Sequence, residues 1–112
     1  MLQSVINPVL GRRRGLKAAL SGVNGYTGAG EIFYAVSLLG AESIAIRLRG
    51  IAGRKAEIFS DEKVIVTVPV ENGRAGKRFT VKGGALPDFE AGANVEVRQN
   101  GHVILSGVFS RG

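Results

Sequence analysis

From Gly15 onward the side chains alternate with a period of two, and this restricts most of the chain to strands. Ile44, Ile46 and Leu48 alternate with Ala45, Arg47 and Arg49. A strand sends successive side chains to opposite faces, so this segment reads as a strand with one buried and one wet face. Leu16, Ala18 and Leu20 alternate likewise with Lys17, Ala19 and Ser21, and Phe79 and Val81 with Arg78, Thr80 and Lys82. Val95 and Val97 alternate with Glu96 and Arg98, while Val103, Leu105, Gly107 and Phe109 make one face of a last strand. Val64, Val66, Val68 and Val70 define one face of another, whose Pro69 lacks an N–H and so belongs near a sheet edge. Lys55–Ser60 is a shorter candidate, and Glu31–Leu39 is apolar on both faces. No segment after Gly15 carries a helical stripe longer than about two turns.

The joints are those of hairpins. Asn72-Gly73 and Asn100-Gly101 suit the type I′ turn, which needs positive φ at both central residues. Gly53 and Asp61-Glu62 supply further breaks, and a loop runs from Gly83-Gly84 through Leu86-Pro87-Asp88 to Gly92. Glycine accounts for 17 of 112 residues, about twice the ordinary share. With no Trp, 2 Tyr and 5 Phe, the core has to come mainly from Val, Ile, Leu and Ala. The expected fold is all-β: an antiparallel β-sandwich, or a closed barrel, of about eight strands. Leu20-Ser21-Gly22-Val23 recurs as Leu105-Ser106-Gly107-Val108, which suits first and last strands lying side by side.

One domain is expected over residues 15–112, preceded by an N-terminal arm over residues 1–14. In the arm, Leu2, Val5, Ile6, Val9 and Leu10 have helical spacing, but Pro8 falls too late for a first turn unless the helix starts at Asn7. A short helix and an extended arm both stay open. The apolar stretch followed by Arg12, Arg13 and Arg14 suits an anionic membrane surface or nucleic acid. The plainer reading is a cap over the open core, or a contact with a second subunit. Charge after the apolar stretch is the reverse of an export signal. The longest uncharged run, Ala18 to Gly30, is broken by glycines and too short to span a bilayer. The expectation is a cytoplasmic protein with no membrane span. A chain with no Cys has no disulfide framework, thiol chemistry or Cys-ligated metal.

The succession Leu16-x-Ala18-x-Leu20-Ser21-Gly22, Gly28-x-Gly30-Glu31-x-x-Tyr34 and Ile44-x-Ile46-x-Leu48-x-Gly50-Ile51 is followed by an Asn-Gly hairpin and a Leu86-Pro87 loop. It closes on Gly101-x-Val103-x-Leu105-Ser106-Gly107-x-Phe109. This layout resembles small bacterial β-sandwich domains of uncharacterised function, over Leu16 to Phe109. The resemblance implies the fold and brings no active residues with it.

Chemistry-bearing residues are sparse. The single histidine, His102, follows a turn dipeptide, where a solvated side chain is the ordinary case. The 9 acidic residues fall mostly at strand ends and on outward positions, without a convergent pair for acid–base work. The glycine-rich stretch from Gly22 to Gly30 leads into a β-like run, not the helix a dinucleotide loop requires. No enzyme, no cofactor and no metal site is expected. The net charge of +6 is the signal with weight. Arg12, Arg13, Arg14, Arg47, Arg49, Lys77, Arg78 and Lys82 are candidate nucleic-acid or anion contacts if the fold brings them together, with Tyr26 and Tyr34 as stacking partners. A solvated outer face explains the same charges. The leading expectation is a non-enzymatic binding or structural module that forms a homo-oligomer, because Glu31–Leu39 carries more apolar surface than one sheet face buries. A nucleic-acid-binding β domain using its basic strand faces is the second.

Overall fold

The computed structural model describes residues 14–82 and 89–111. The arm before Arg14 and the 83–88 part of the glycine loop lie outside the described residues. The strands are β1 (Arg14–Gly22), β2 (Ala29–Val36), β3 (Glu42–Arg49), β4 (Lys55–Ser60), β5 (Lys63–Pro69), β6 (Arg74–Val81), β7 (Asn94–Gln99) and β8 (His102–Arg111). All pair antiparallel in one eight-stranded sheet of order β5-β4-β7-β8-β1-β2-β3-β6. The sheet curls into a nearly closed barrel, and the described residues contain no helix. Its edges, β5 and β6, come together at a seam that has no ladder. They are joined there by the Asn72-Gly73 turn and the single bridge Glu71↔Arg74.

Period two becomes inside and outside. Leu16, Ala18 and Leu20 of β1, Ile32 and Tyr34 of β2, and Ile44, Ile46 and Leu48 of β3 are buried inside the barrel. The alternation fails at two β-bulges. Between β7 and β8 the register steps from Val97↔Leu105 to Arg98↔Val103, so Ile104 is an extra residue and both Ile104 and Leu105 are buried. Between β4 and β5 it steps from Ile58↔Val66 to Phe59↔Val64, with Ile65 as the extra residue. Val64 is therefore 52% exposed and does not share the buried face of Val68 and Val70, contrary to the even alternation expected there. A bulge adds local twist, which helps so short a sheet to close.

The turns carry the backbone their residues suggest. Asn100 and Gly101 have φ of 51° and 80°, the two positive values of a type I′ hairpin between β7 and β8. Asp61 and Glu62 make the same turn between β4 and β5 at φ of 48° and 68°, without glycine. Phe89 lies outside every strand yet is fully buried, edge-on to Tyr34 with ring centroids 4.7 Å apart and 5.3 Å from Phe109. These rings fill the end of the barrel where β2 and β8 finish.

First and last strands are neighbours, as the Leu-Ser-Gly-Val echo suggests: Ser21 is opposite Ser106 and Gly22 opposite Leu105. Both echo glycines sit where no side chain fits. A Cβ on Gly107 would stand 2.2 Å from the Ala19 carbonyl oxygen, and one on Gly22 1.9 Å from that of Tyr26. Gly107→Ala is expected to lose about 1–3 kcal/mol or more in urea unfolding, since the clash is with backbone. Gly76→Ala, whose Cβ would meet nothing nearer than 3.7 Å, is expected to change stability little.

Candidate anion-binding face

The outer faces of β1, β2, β3 and β6 form one continuous wall. Register places its residues in rows. Lys17, Phe33, Ala45 and Arg78 form one row across the four strands, and Gly15, Ala35, Ser43 and Thr80 the row beside it. On the other side, Ala19, Glu31, Arg47 and Gly76 are followed by Ser21, Ala29, Arg49 and Arg74. Lys17, Arg47, Arg49, Arg74 and Arg78 are all exposed, and Glu31 is the one carboxylate on these strand faces. Glu31 bonds Arg49, with Nη1 to Oε2 at 3.0 Å. The other cations of the wall have no ion-pair partner among the described residues.

The wall is low because its floor is small. Gly15, Ala35, Ser43 and Ala45 floor an open depression of about 700 Å³, bordered by Lys17, Phe33, Arg78 and Thr80. Phe33 is 43% exposed, and the Lys17 Nζ lies 5.5 Å from its ring centroid.

On the opposite wall the arginine of β7 is already engaged. Arg98 of β7 bonds Glu96 and Glu62 and lies over the Phe59 ring, 4.1 Å from its centroid. Its hydrogen bonds to Glu96 and then Glu62 hold the guanidinium pKa above its already high ordinary value. Arg98 is thus a permanent cation with its partners already in place.

The basic residues singled out from the sequence separate accordingly. Arg47, Arg49 and Arg78 share the outer wall, and Lys82 follows β6 immediately. Lys77 does not join Arg78: it pairs with Ile46 on the barrel's inner side and reaches solvent only because β6 borders the seam, its Nζ 5.9 Å from the Phe79 ring. Neighbours in a strand face opposite ways, so the two cannot act as one patch. Arg14 begins β1 opposite Val36, and Arg12 and Arg13 lie outside the described residues. Tyr34, expected as a stacking residue, is 2% exposed, and Tyr26 lies in the β1–β2 turn away from the depression. Its strand neighbour Phe33 takes that place. The signal was present, since Phe33 has the opposite parity from Ile32 and Tyr34. Lys17 and Arg74 complete the wall because their strands flank it.

The carboxylates include one surprise. Glu42, the first residue of β3, is buried, and its Oε2 accepts a hydrogen bond from the Tyr34 hydroxyl at 2.5 Å. The Asp, Glu and His residues described include no group of three able to hold a metal ion. No protein-family model matches the chain, and no curated protein matches it.

The Tyr34–Glu42 contact reads as structural. Tyr34→Phe removes a donor to a buried carboxylate and is expected to cost about 1–3 kcal/mol in chemical unfolding. Replacing the buried carboxyl with a neutral amide as well, in Tyr34→Phe/Glu42→Gln, is expected to recover part of that loss.

Proposed function

We propose that this protein is a non-enzymatic binding module whose β1-β2-β3-β6 wall takes an extended phosphodiester polymer. The observation that supports this best is the convergence of Lys17, Arg47, Arg74 and Arg78 on one face with no ion-pair partner among the described residues. Cations left unpaired on a shared surface attract phosphates and gain from the counterions a polyanion releases. The reading as a binder and not a catalyst is supported by His102, exposed at a hairpin tip, and by the engagement of Glu31, Glu62 and Glu96 in ion pairs and of Glu42 in the Tyr34 contact. The likeness to small bacterial β-sandwich domains is compatible with this reading and adds no activity to it.

Fluorescence anisotropy with labelled oligo(dT) at about 50 and 200 mM salt tests the reading. Four single-strand phosphate contacts imply a slope of log K against log salt of about −3. Lys17→Gln/Arg78→Gln is expected to bring the slope to about −1.4 while leaving the unfolding midpoint unchanged, both residues being exposed. Absence of binding at low salt would refute it.

Self-association is the second reading, and the β2–β3 turn favours it. Leu38 is 51% and Leu39 97% exposed there. The turn is held rigid by the Gly40 N–H donating to the Ser37 carbonyl and the Ser37 N–H to that of Ala41. A second copy would cover these leucines. Light scattering at micromolar concentration is expected to give a mass above 11.8 kDa, returning to it in Leu38→Ser/Leu39→Ser. A wild-type monomer would dismiss the idea.

A further inference from the structure

We propose that the depression beside Phe33 is a pocket for one unpaired nucleobase, so that the module binds single-stranded nucleic acid in preference to duplex. This rests on the phosphodiester reading above and narrows it. The Lys17 amine occupies one face of the Phe33 ring, at 5.5 Å from the centroid. Phe33, Ala45 and Arg78 follow one another in a row and line the hollow together. The backbones of β2 and β6 are two strand spacings apart, about 9.5 Å. A flat ring between two packing partners needs about 7–8 Å, one van der Waals separation on each side. Side chains rising from β2 and β6 in one row are thus spaced widely enough for one aromatic plane between Phe33 and Arg78, both of which stack on bases.

The floor suits a base as well. Ser43 and Thr80 are opposite each other in the adjoining row, and their hydroxyls each both donate and accept. Such groups meet the edge of any base without demanding a particular one, which predicts weak sequence preference. Arg47, one row beyond, is placed for the phosphate next to the held nucleotide. Duplex bases are stacked on both faces and cannot enter, whereas a single strand turns a base out at little cost.

Anisotropy titrations of oligo(dT), oligo(rU), an abasic oligonucleotide of the same length and a duplex, all at low salt, separate the two claims. Oligo(dT) and oligo(rU) are expected to bind about tenfold or more tighter than the abasic strand. Phe33→Ala is expected to remove that advantage while leaving the abasic affinity unchanged, and Phe33→Tyr to keep it. Because Phe33 is half outside the protein, both variants should unfold at the wild-type midpoint, which is measured alongside. Equal binding of oligo(dT) and the abasic strand, or tighter binding insensitive to Phe33→Ala, overturns the base pocket while the polyanion reading stands. Failure of every strand to bind overturns both.

Discussion

Between Ala19 of β1 and Gly107 of β8 the two backbones come so close that a methyl group on Gly107 would sit 2.2 Å from a carbonyl oxygen. That contact joins two four-stranded halves, β5-β4-β7-β8 and β1-β2-β3-β6. The ladder there runs Leu16↔Arg111 to Ala18↔Phe109 and resumes at Ser21↔Ser106, so pairing is interrupted where the approach is tightest. Pairing the halves at this central join carries Phe109 to Phe89, which packs edge-on to Tyr34, and so seals one end of the core. It also leaves β5 and β6 facing each other at the seam, where twist and the Asn72-Gly73 turn finish the barrel.

The division into halves is also a division of charge. In the half containing β4 and β7, Arg98 is held by Glu96, Glu62 and the Phe59 ring, and Lys55 and Lys63 are matched in number by Glu57 and Asp61. In the other half Glu31 answers Arg49 alone. Exposed ion pairs contribute little stability, so the consequence of this imbalance lies in what the surface attracts. Glycine, alanine and serine on the wall keep its floor low, and the cations and Phe33 rise above it. A smooth floor with raised cationic and aromatic rims offers a chain both phosphate contacts and a place to stack.

Much of the fold was legible because alternation is a local signal. Each apolar run declared its inward face, and each Asn-Gly pair declared a turn with positive φ. The valine run of β5 misled because a bulge at Ile58/Phe59 shifts the register, and nothing in four alternating valines marks where the extra residue enters. Phe89 was hidden for another reason: it lies in a loop, where neither period applies, and only the curvature of the finished barrel turns it inward. Of the candidate site, Arg47, Arg49 and Arg78 could be named, but Lys77 was grouped with Arg78 by nearness in sequence, which in a strand means opposite faces. Phe33 was passed over in favour of Tyr34 because a run apolar on both sides does not say which side is the core.

The sequence by itself determined that this chain forms antiparallel strands, where most of its turns fall, and that its first and last strands can lie together. These follow from side-chain parity and from the backbone conformations of Asn and Gly, properties of a few adjacent residues. Tertiary structure alone decided that β3 lies between β2 and β6, bringing Lys17, Phe33, Ala45 and Arg78 from distant parts of the chain into one row. Strand order and register arise from how eight buried faces share one interior, and that competition is settled only when all of them pack at once.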